Sequence, residues 1–127
     1  MLKILPVQNK EEQEKFCGLC GIPYDADFMS YAAFDGETFR GIVNFRIAEK
    51  SCIIYKIKLY NGADDYLALY LLGKAPLNFA DMCGIKNAVF ADSDNYELAD
   101  KLEFINENGN RTLNLEGYFE SPCQRHK

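Results

Sequence analysis

The stretch CIIYKIKLYNGADDYLALYLLGKAPLNFADMCGIKNAVFA, Cys52–Ala91, decides how this chain folds. It opens with Ile53, Tyr55, Ile57 and Leu59 alternating with polar positions up to Tyr60, the period-two pattern of a strand with one buried face. From Asp64 to Ala75 the period changes. Tyr66, Leu67, Leu69, Tyr70, Leu71 and Leu72 make that segment apolar nearly all round, which predicts a deeply buried helix with Asp64 as its N-cap. Pro76 removes a backbone donor and clashes with the Leu72 carbonyl, so a break or kink is expected before Leu77 to Cys83 resume and Gly84 ends the helix. Ile85 to Ala91 then reads as a short buried strand. A strand, a helical segment and a second strand form a crossover, so the two strands are expected to lie side by side in parallel, with a right-handed connection.

Upstream, Phe28 to Phe34 and Phe39 to Ala48 are β-branched and aromatic runs punctuated by Asp35-Gly36-Glu37-Thr38 and by Glu49-Lys50-Ser51, which predicts a meander leading into the Cys52 strand. In the second hairpin the apolar face Phe39, Gly41, Val43, Phe45 and Ile47 must meet Ile53, Tyr55, Ile57 and Leu59 in one core. A three-residue loop, pairing Ala48 with Cys52, sets Phe45 opposite Tyr55 and Val43 opposite Ile57; a two-residue loop would set apolar residues against the polar face. The longer loop is therefore expected. Before the meander, Leu2 to Val7 reads as a strand that Pro6 terminates, and Asn9 caps a helix from about Lys10 to Cys20 that Gly21 and Pro23 end. Downstream, Asp94-Asn95-Tyr96-Glu97 opens a helix to about Glu103, and Asn108-Gly109 marks a hairpin between Phe104 to Glu107 and Arg111 to Phe119. The order predicts an α+β fold with a mixed sheet.

The chain has 127 residues, 48% of them hydrophobic, and a net charge of −5. That composition builds a core and excludes global disorder. The longest run without Asp, Glu, Lys or Arg is Phe16 to Tyr24, too short for a membrane span, and the first ten residues lack a continuous apolar secretory segment. A cytoplasmic protein with no membrane partner is expected. The acidic balance argues against nucleic acid, whose binding depends on phosphate neutralisation. No repeat or linker divides the chain.

Cys17, Cys20, Cys52, Cys83 and Cys123 are odd in number, poor material for a disulfide framework. Cys17 and Cys20 have CxxC spacing. A closed zinc site needs about four ligands and the only histidine is His126 in the tail, while a redox pair belongs at the start of a helix rather than its end. Reduced, metal-free cysteines are expected.

Across nearly its whole length the element order resembles the GNAT acetyltransferase superfamily, whose members bind acetyl-CoA where two neighbouring parallel strands splay apart. Ala91 to Phe104 looks like the family's strand-to-helix segment, an Asn followed by Ala and ending in Tyr-x-x-x-Gly-Phe. Matched backwards from Phe104, the family's Asn falls on Asp92, its Tyr on Ala99 and its Gly on Glu103; matched from Asn95, one helical turn is missing. The family's second motif, Gln/Arg-x-x-Gly-x-Gly/Ala, falls on Ala63, Asp64, Asp65, Tyr66, Leu67 and Ala68. There, bare amides and a helix dipole would receive a pyrophosphate; here Tyr66 stands in a glycine position and Asp64 and Asp65 add negative charge, a degenerate version of the loop.

The resemblance implies a GNAT-like, acyl-CoA N-acyltransferase-like domain over residues 1–120, followed by a polar tail, 121–127. It implies acetyl-CoA as a co-substrate, lying against Leu59, Tyr60, Gly62, Ala63 and Ala68, with Tyr96 as the candidate proton relay and an amine as acceptor. The acids at the loop imply weak CoA binding. The alternative is a non-catalytic ligand- or protein-binding module on the same fold, for which Arg40, Asn44, Arg46, Lys56 and Lys58, gathered on one side of the hairpin, would offer a cationic face. With one histidine, in the tail, no Ser/His/Asp hydrolase is expected.

Overall fold

The computed structural model describes residues 1–62 and 64–119. In chain order these form β1 (Leu2–Pro6), α1 (Lys10–Cys20), β2 (Met29–Asp35), β3 (Thr38–Ala48), β4 (Ser51–Leu59), α2 (Tyr66–Met82), β5 (Asn87–Phe90), α3 (Tyr96–Lys101), β6 (Ile105–Glu107) and β7 (Asn110–Asn114). All seven strands join one sheet in the order β1-β2-β3-β4-β5-β7-β6. Neighbours are antiparallel except β4 and β5, which run parallel with Ser51 opposite Asn87 and Ile54 opposite Phe90. The expected crossover is present, with α2 as its helix.

The two faces of the sheet bury different sets. On one, Leu72 and Leu77 of α2, Leu98 and Ala99 of α3 and Leu102 just after it pack with Val43, Phe45, Ile54, Ile57 and Phe90. On the other, Phe16, Cys17 and Cys20 of α1 close over Ala32 and Ile42. α1 begins as its sequence directs, Asn9 Oδ1 accepting from the Glu12 N–H at 2.8 Å, and ends on Gly21 at φ 69°, the left-handed conformation that glycine adopts without strain. The Cys17–Cys20 pair thus occupies the last turn of α1.

The β3–β4 loop differs from expectation. Ala48 pairs with Ser51, so the loop is the two residues Glu49 and Lys50, both at positive φ, 51° and 66°, as a tight hairpin requires. A β-bulge restores the faces: Phe45 pairs with Ile54, Asn44 with Lys56, and Tyr55 is the extra residue between them. Cys52 and Ile54 therefore face the same core as Ile57, and Val43 still lies opposite Ile57, whereas Phe45 does not oppose Tyr55. Parity arguments assume an unbroken ladder, and one bulge reverses their conclusion.

α2 differs in two respects. Its N-cap is Asp65, whose Oδ1 accepts from the Ala68 N–H at 3.1 Å, rather than Asp64. The helix also runs through Pro76 to Met82 without interruption, and the Pro76 carbonyl faces the Cys52 thiol at 3.7 Å.

Asn44, Arg46, Lys56 and Lys58 share a side, the side that α1 packs on, but a second bulge leaves Arg40 as the extra residue between Phe39 and Gly41 and turns Phe39 to the α1 side, not to the face of Val43 and Phe45 as expected. Asn44 is buried there, its Oδ1 accepting from Ser30 Oγ at 2.6 Å. Arg40 Nη2 lies 3.8 Å from Asp65, and Lys56 is bound by Asp92 and Asp94. The expected cationic face is divided between a helix interface and ion pairs.

Candidate functional site

β4 and β5 stay together for four residue pairs, and the last link is the Ala91 N–H to the Ile54 carbonyl at 2.8 Å. Beyond it β5 ends, because Asp92 turns the chain: Asp92 Oδ1 accepts from the Asp94 N–H at 3.2 Å and a short 3-10 turn, Ser93–Asn95, follows. β4 continues to Leu59 with no further strand on that side among the described residues. The strands part there, and a cleft of about 360 Å³ opens between the free length of β4, the start of α2 and the turn before α3.

The walls follow from strand geometry. The Ile57 N–H donates to Asp92 Oδ2 at 2.9 Å and the Ile57 carbonyl accepts from Asn95 Nδ2 at 3.0 Å, so the Ile57 peptide groups face the opening. Backbone direction repeats every second residue, which turns the peptide groups of Leu59 the same way. Gly62, Asp64, Asp65, Tyr66 and Leu69 form the α2 side, and Lys56, Lys58 and Asp94 the rim.

Charge in the cleft is mixed and largely committed. Lys56 Nζ reaches Asp94 Oδ2 at 2.6 Å and Asp92 Oδ1 at 3.2 Å. The bond to Asp94 raises the Lys56 ammonium above its ordinary value, and the same bond lowers the Asp94 carboxyl. Asp65 caps α2 and faces Arg40; Asp64 is exposed and caps nothing. Lys58 is the exposed lysine of the cleft.

Of the five residues expected to lie against acetyl-CoA, Leu59 and Gly62 line the cleft. Ala68 is fully buried and its N–H is held by the Asp65 cap. Tyr60 turns toward the α1 side, its ring centroid 5.6 Å from that of Phe39. Ala63 lies outside the described residues, as do Cys123 and His126. Tyr96 is not among the cleft-lining residues; its ring lies under the Arg111 guanidinium at 4.0 Å, on the β7 side. The largest omission is the joining of Lys56, Asp92, Asp94 and Asn95 at the Ile57 peptide, since Lys56 read as part of a cationic face, Asp92 and Asn95 as positions matched to the family's Asn, and Asp94 as opening a helix. Its signal was an Asp-x-Asp-Asn run closing a buried strand, a pattern that stops a ladder by offering side-chain oxygens to the backbone.

Cys17, Cys20 and Cys52 are buried and free. Desolvation pushes the Cys20 thiol up to about 11 and the Cys52 thiol to about 12, and raises Cys17 as well. Among the described residues no three His, Cys, Asp or Glu side chains group as a metal site.

No protein-family model matches this chain, and no curated protein sequence does. Solved structures do. The PaiA N-acetyltransferase of Thermoplasma acidophilum in complex with coenzyme A superposes with TM-score 0.67 at 12% identity, covering 89% of this chain and 97% of that one. A dodecameric spermidine N-acetyltransferase of Vibrio cholerae gives 0.70 at 12% identity, with 94% and 96% covered. A Bacillus subtilis acetyltransferase in complex with CoA gives 0.66 at 14% identity, with 91% and 99% covered. Shared architecture at such low identity is a statement about fold: this chain has the fold of the GNAT N-acetyltransferases.

Proposed function

We propose that the chain is an acyl-CoA-dependent N-acyltransferase whose cleft takes its acyl donor weakly. The observation that carries this reading is the parting of the parallel pair β4/β5 after Ile54 and Phe90, which leaves the start of α2 beside an open strand edge. Leu59 and the first turn of α2 supply what a thioester with a polyanionic tail needs: a peptide to fix the arm, and the positive end of a helix dipole. Two solved structures of the same fold are complexes with CoA. A bound thioester would supply the acyl group; an amine would attack its carbonyl as the C–S bond breaks, the departing sulfur and the amine exchanging a proton through water. The chain's part is to position both partners and to hold a backbone N–H near the carbonyl, which accounts for much of the rate in such transfers.

The residues fit that donor in part. Of the three carboxylates on the cleft, Asp94 is paired with Lys56 and Asp65 faces Arg40, which leaves Asp64 as the uncompensated charge, and Tyr66, about half exposed, adds bulk at the first turn of α2. Acids within a Debye length of roughly 8–10 Å oppose a polyanion. Calorimetry with acetyl-CoA should therefore show binding no tighter than the micromolar range, and Asp64→Asn with Tyr66→Gly should tighten it several-fold. Asp65 stays as the cap, so the glycine costs at most about 1 kcal/mol of stability. Sub-micromolar binding by the wild type would refute the weak-donor reading.

A second reading, a non-catalytic binding module, is favoured by one feature: the Lys56 ammonium on the cleft is already consumed by Asp92 and Asp94. Absence of acetyl-CoA binding in both the wild type and the folded double variant would move the conclusion there.

A further inference from the structure

Past Ile54 no strand among the described residues covers the β5-facing edge of β4, yet the Ile57 peptide is not bare. Asp92 accepts its N–H and Asn95 donates to its carbonyl. One acceptor and one donor, borne by side chains three positions apart, reproduce the pair of bonds that a neighbouring strand would make. The two side chains are also locked together, Asn95 Nδ2 donating to Asp92 Oδ2 at 2.6 Å. Asp92 is anchored further by Lys56 and by the Asp94 N–H, and its side chain is 1% exposed. Asn95 stands at the N-cap position of α3 but makes no capping bond there. Its amide serves β4 instead of its own helix, where an Asn cap contributes to stability.

We propose that Asp92 and Asn95 form a displaceable plug on the β4 edge that sets how deeply an amide-bearing ligand, such as the arm of an acyl-CoA, enters the cleft. The inference rests on the acyl-CoA reading of that cleft. With the plug seated, such a ligand finds open peptide groups at Leu59 alone. To reach the fork at Ile54 it must substitute its own N–H and C=O for the two side chains at Ile57. That exchange keeps the count of hydrogen bonds at β4, and Asp92, once displaced, retains Lys56 as a partner, so no orphaned charge is left behind.

The plug is read without ligand as hydrogen exchange at the Ile57 amide, and with ligand as acetyl-CoA affinity by calorimetry. In Asp92→Ala the Ile57 amide should exchange at least tenfold faster while the amides of the β2–β3 ladder keep their protection. Asn95→Ala, which leaves the buried carboxylate in place, should raise that exchange about threefold and tighten acetyl-CoA binding by a similar factor. Wild-type exchange at Ile57 in either folded variant overturns the plug, and so does faster exchange with unchanged, measurable affinity. If acetyl-CoA binds none of these proteins, nor the Asp64→Asn, Tyr66→Gly variant, the acyl-CoA reading falls, while exchange at Ile57 still upholds or overturns the plug by itself.

Discussion

Gly41 shows how a single residue shapes the site from behind. It lies on β3 opposite Leu59, where an added methyl group would sit 2.8 Å from the Lys58 carbonyl oxygen and 3.1 Å from the Leu59 Cα. Both obstacles are backbone, so Gly41→Ala must push β4 away exactly where its edge serves the cleft. Overpacking of this kind typically costs about 1–3 kcal/mol; urea denaturation should show a loss in that range, and acetyl-CoA affinity should fall with it. A loss within experimental error would mean that β4 is looser at Leu59 than its contacts imply. Gly73 makes a useful contrast, because its methyl would meet the far end of a side chain, Leu102 Cδ1, at 2.7 Å. The thiols are graded by the same logic of access. Cys83 is exposed and Cys17, Cys20 and Cys52 are buried, so an alkylating reagent should modify Cys83 in the native protein and reach the other three only after denaturation. Native labelling of Cys17 or Cys20 would contradict the packing of α1.

Among the elements, the β3–β4 hairpin carries the clearest strain. Glu49 and Lys50 both hold positive φ, which Asn-Gly adopts far more readily than Glu-Lys. Glu49→Asn with Lys50→Gly should stabilise the protein by about 1 kcal/mol, seen as a higher urea midpoint at unchanged slope; a lower midpoint would mean that Glu49 or Lys50 makes a contact worth more than the strain. This hairpin also marks where sequence reasoning stopped. Alternation correctly identified both strands and the Val43–Ile57 pairing, but a bulge at Tyr55 leaves no composition signal, since Ile53, Ile54 and Tyr55 are all plausible on either face. Capping was legible at Asn9 and ambiguous at Asp64-Asp65, where two adjacent acids fit one rule and only backbone geometry selects Asp65. The cleft lies where the resemblance implies an acyl-donor site, at the end of β4 and the start of α2. The plug was not legible, because Asp92 read only as the position of the family's Asn and Asn95 as part of a helix opening, and their bonds to Ile57 span more than thirty positions of sequence.

For the whole molecule, the crossover Cys52–Ala91 was the readable unit because a helix between two buried strands has few compact solutions. The same assembly sets how stability responds to pH. Asp35 is held below the usual 3.8 by a hydrogen bond from the N-terminal ammonium, and Asp94 by Lys56. Depressed carboxyls contribute stability above their unfolded value that is lost as pH falls through the folded one, so an acid limb begins below about pH 4. At the other end, burial holds the Cys52 thiol at about 12 against an ordinary 9.0. An unfolded thiol ionises from about pH 9 while the buried one keeps its proton, so the unfolded state binds fewer protons and stability falls as pH rises from 9 toward 12. Cys20, at about 11, acts in the same direction. Lys56, raised by Asp94, contributes stability that is present below 10.5 and lost above it, which separates the onset of the thiol effect from that of the lysines. One thiol accounts for about 1 kcal/mol between pH 9 and pH 10, from about 1.4 kcal/mol per unit once past its unfolded value. Cys52→Ala lowers stability at every pH by leaving a small cavity, yet it should flatten the decline between pH 9 and pH 10 by that 1 kcal/mol and leave the acid limb unchanged. Parallel declines in the two proteins over that interval would show that the Cys52 thiol does not govern the alkaline limb.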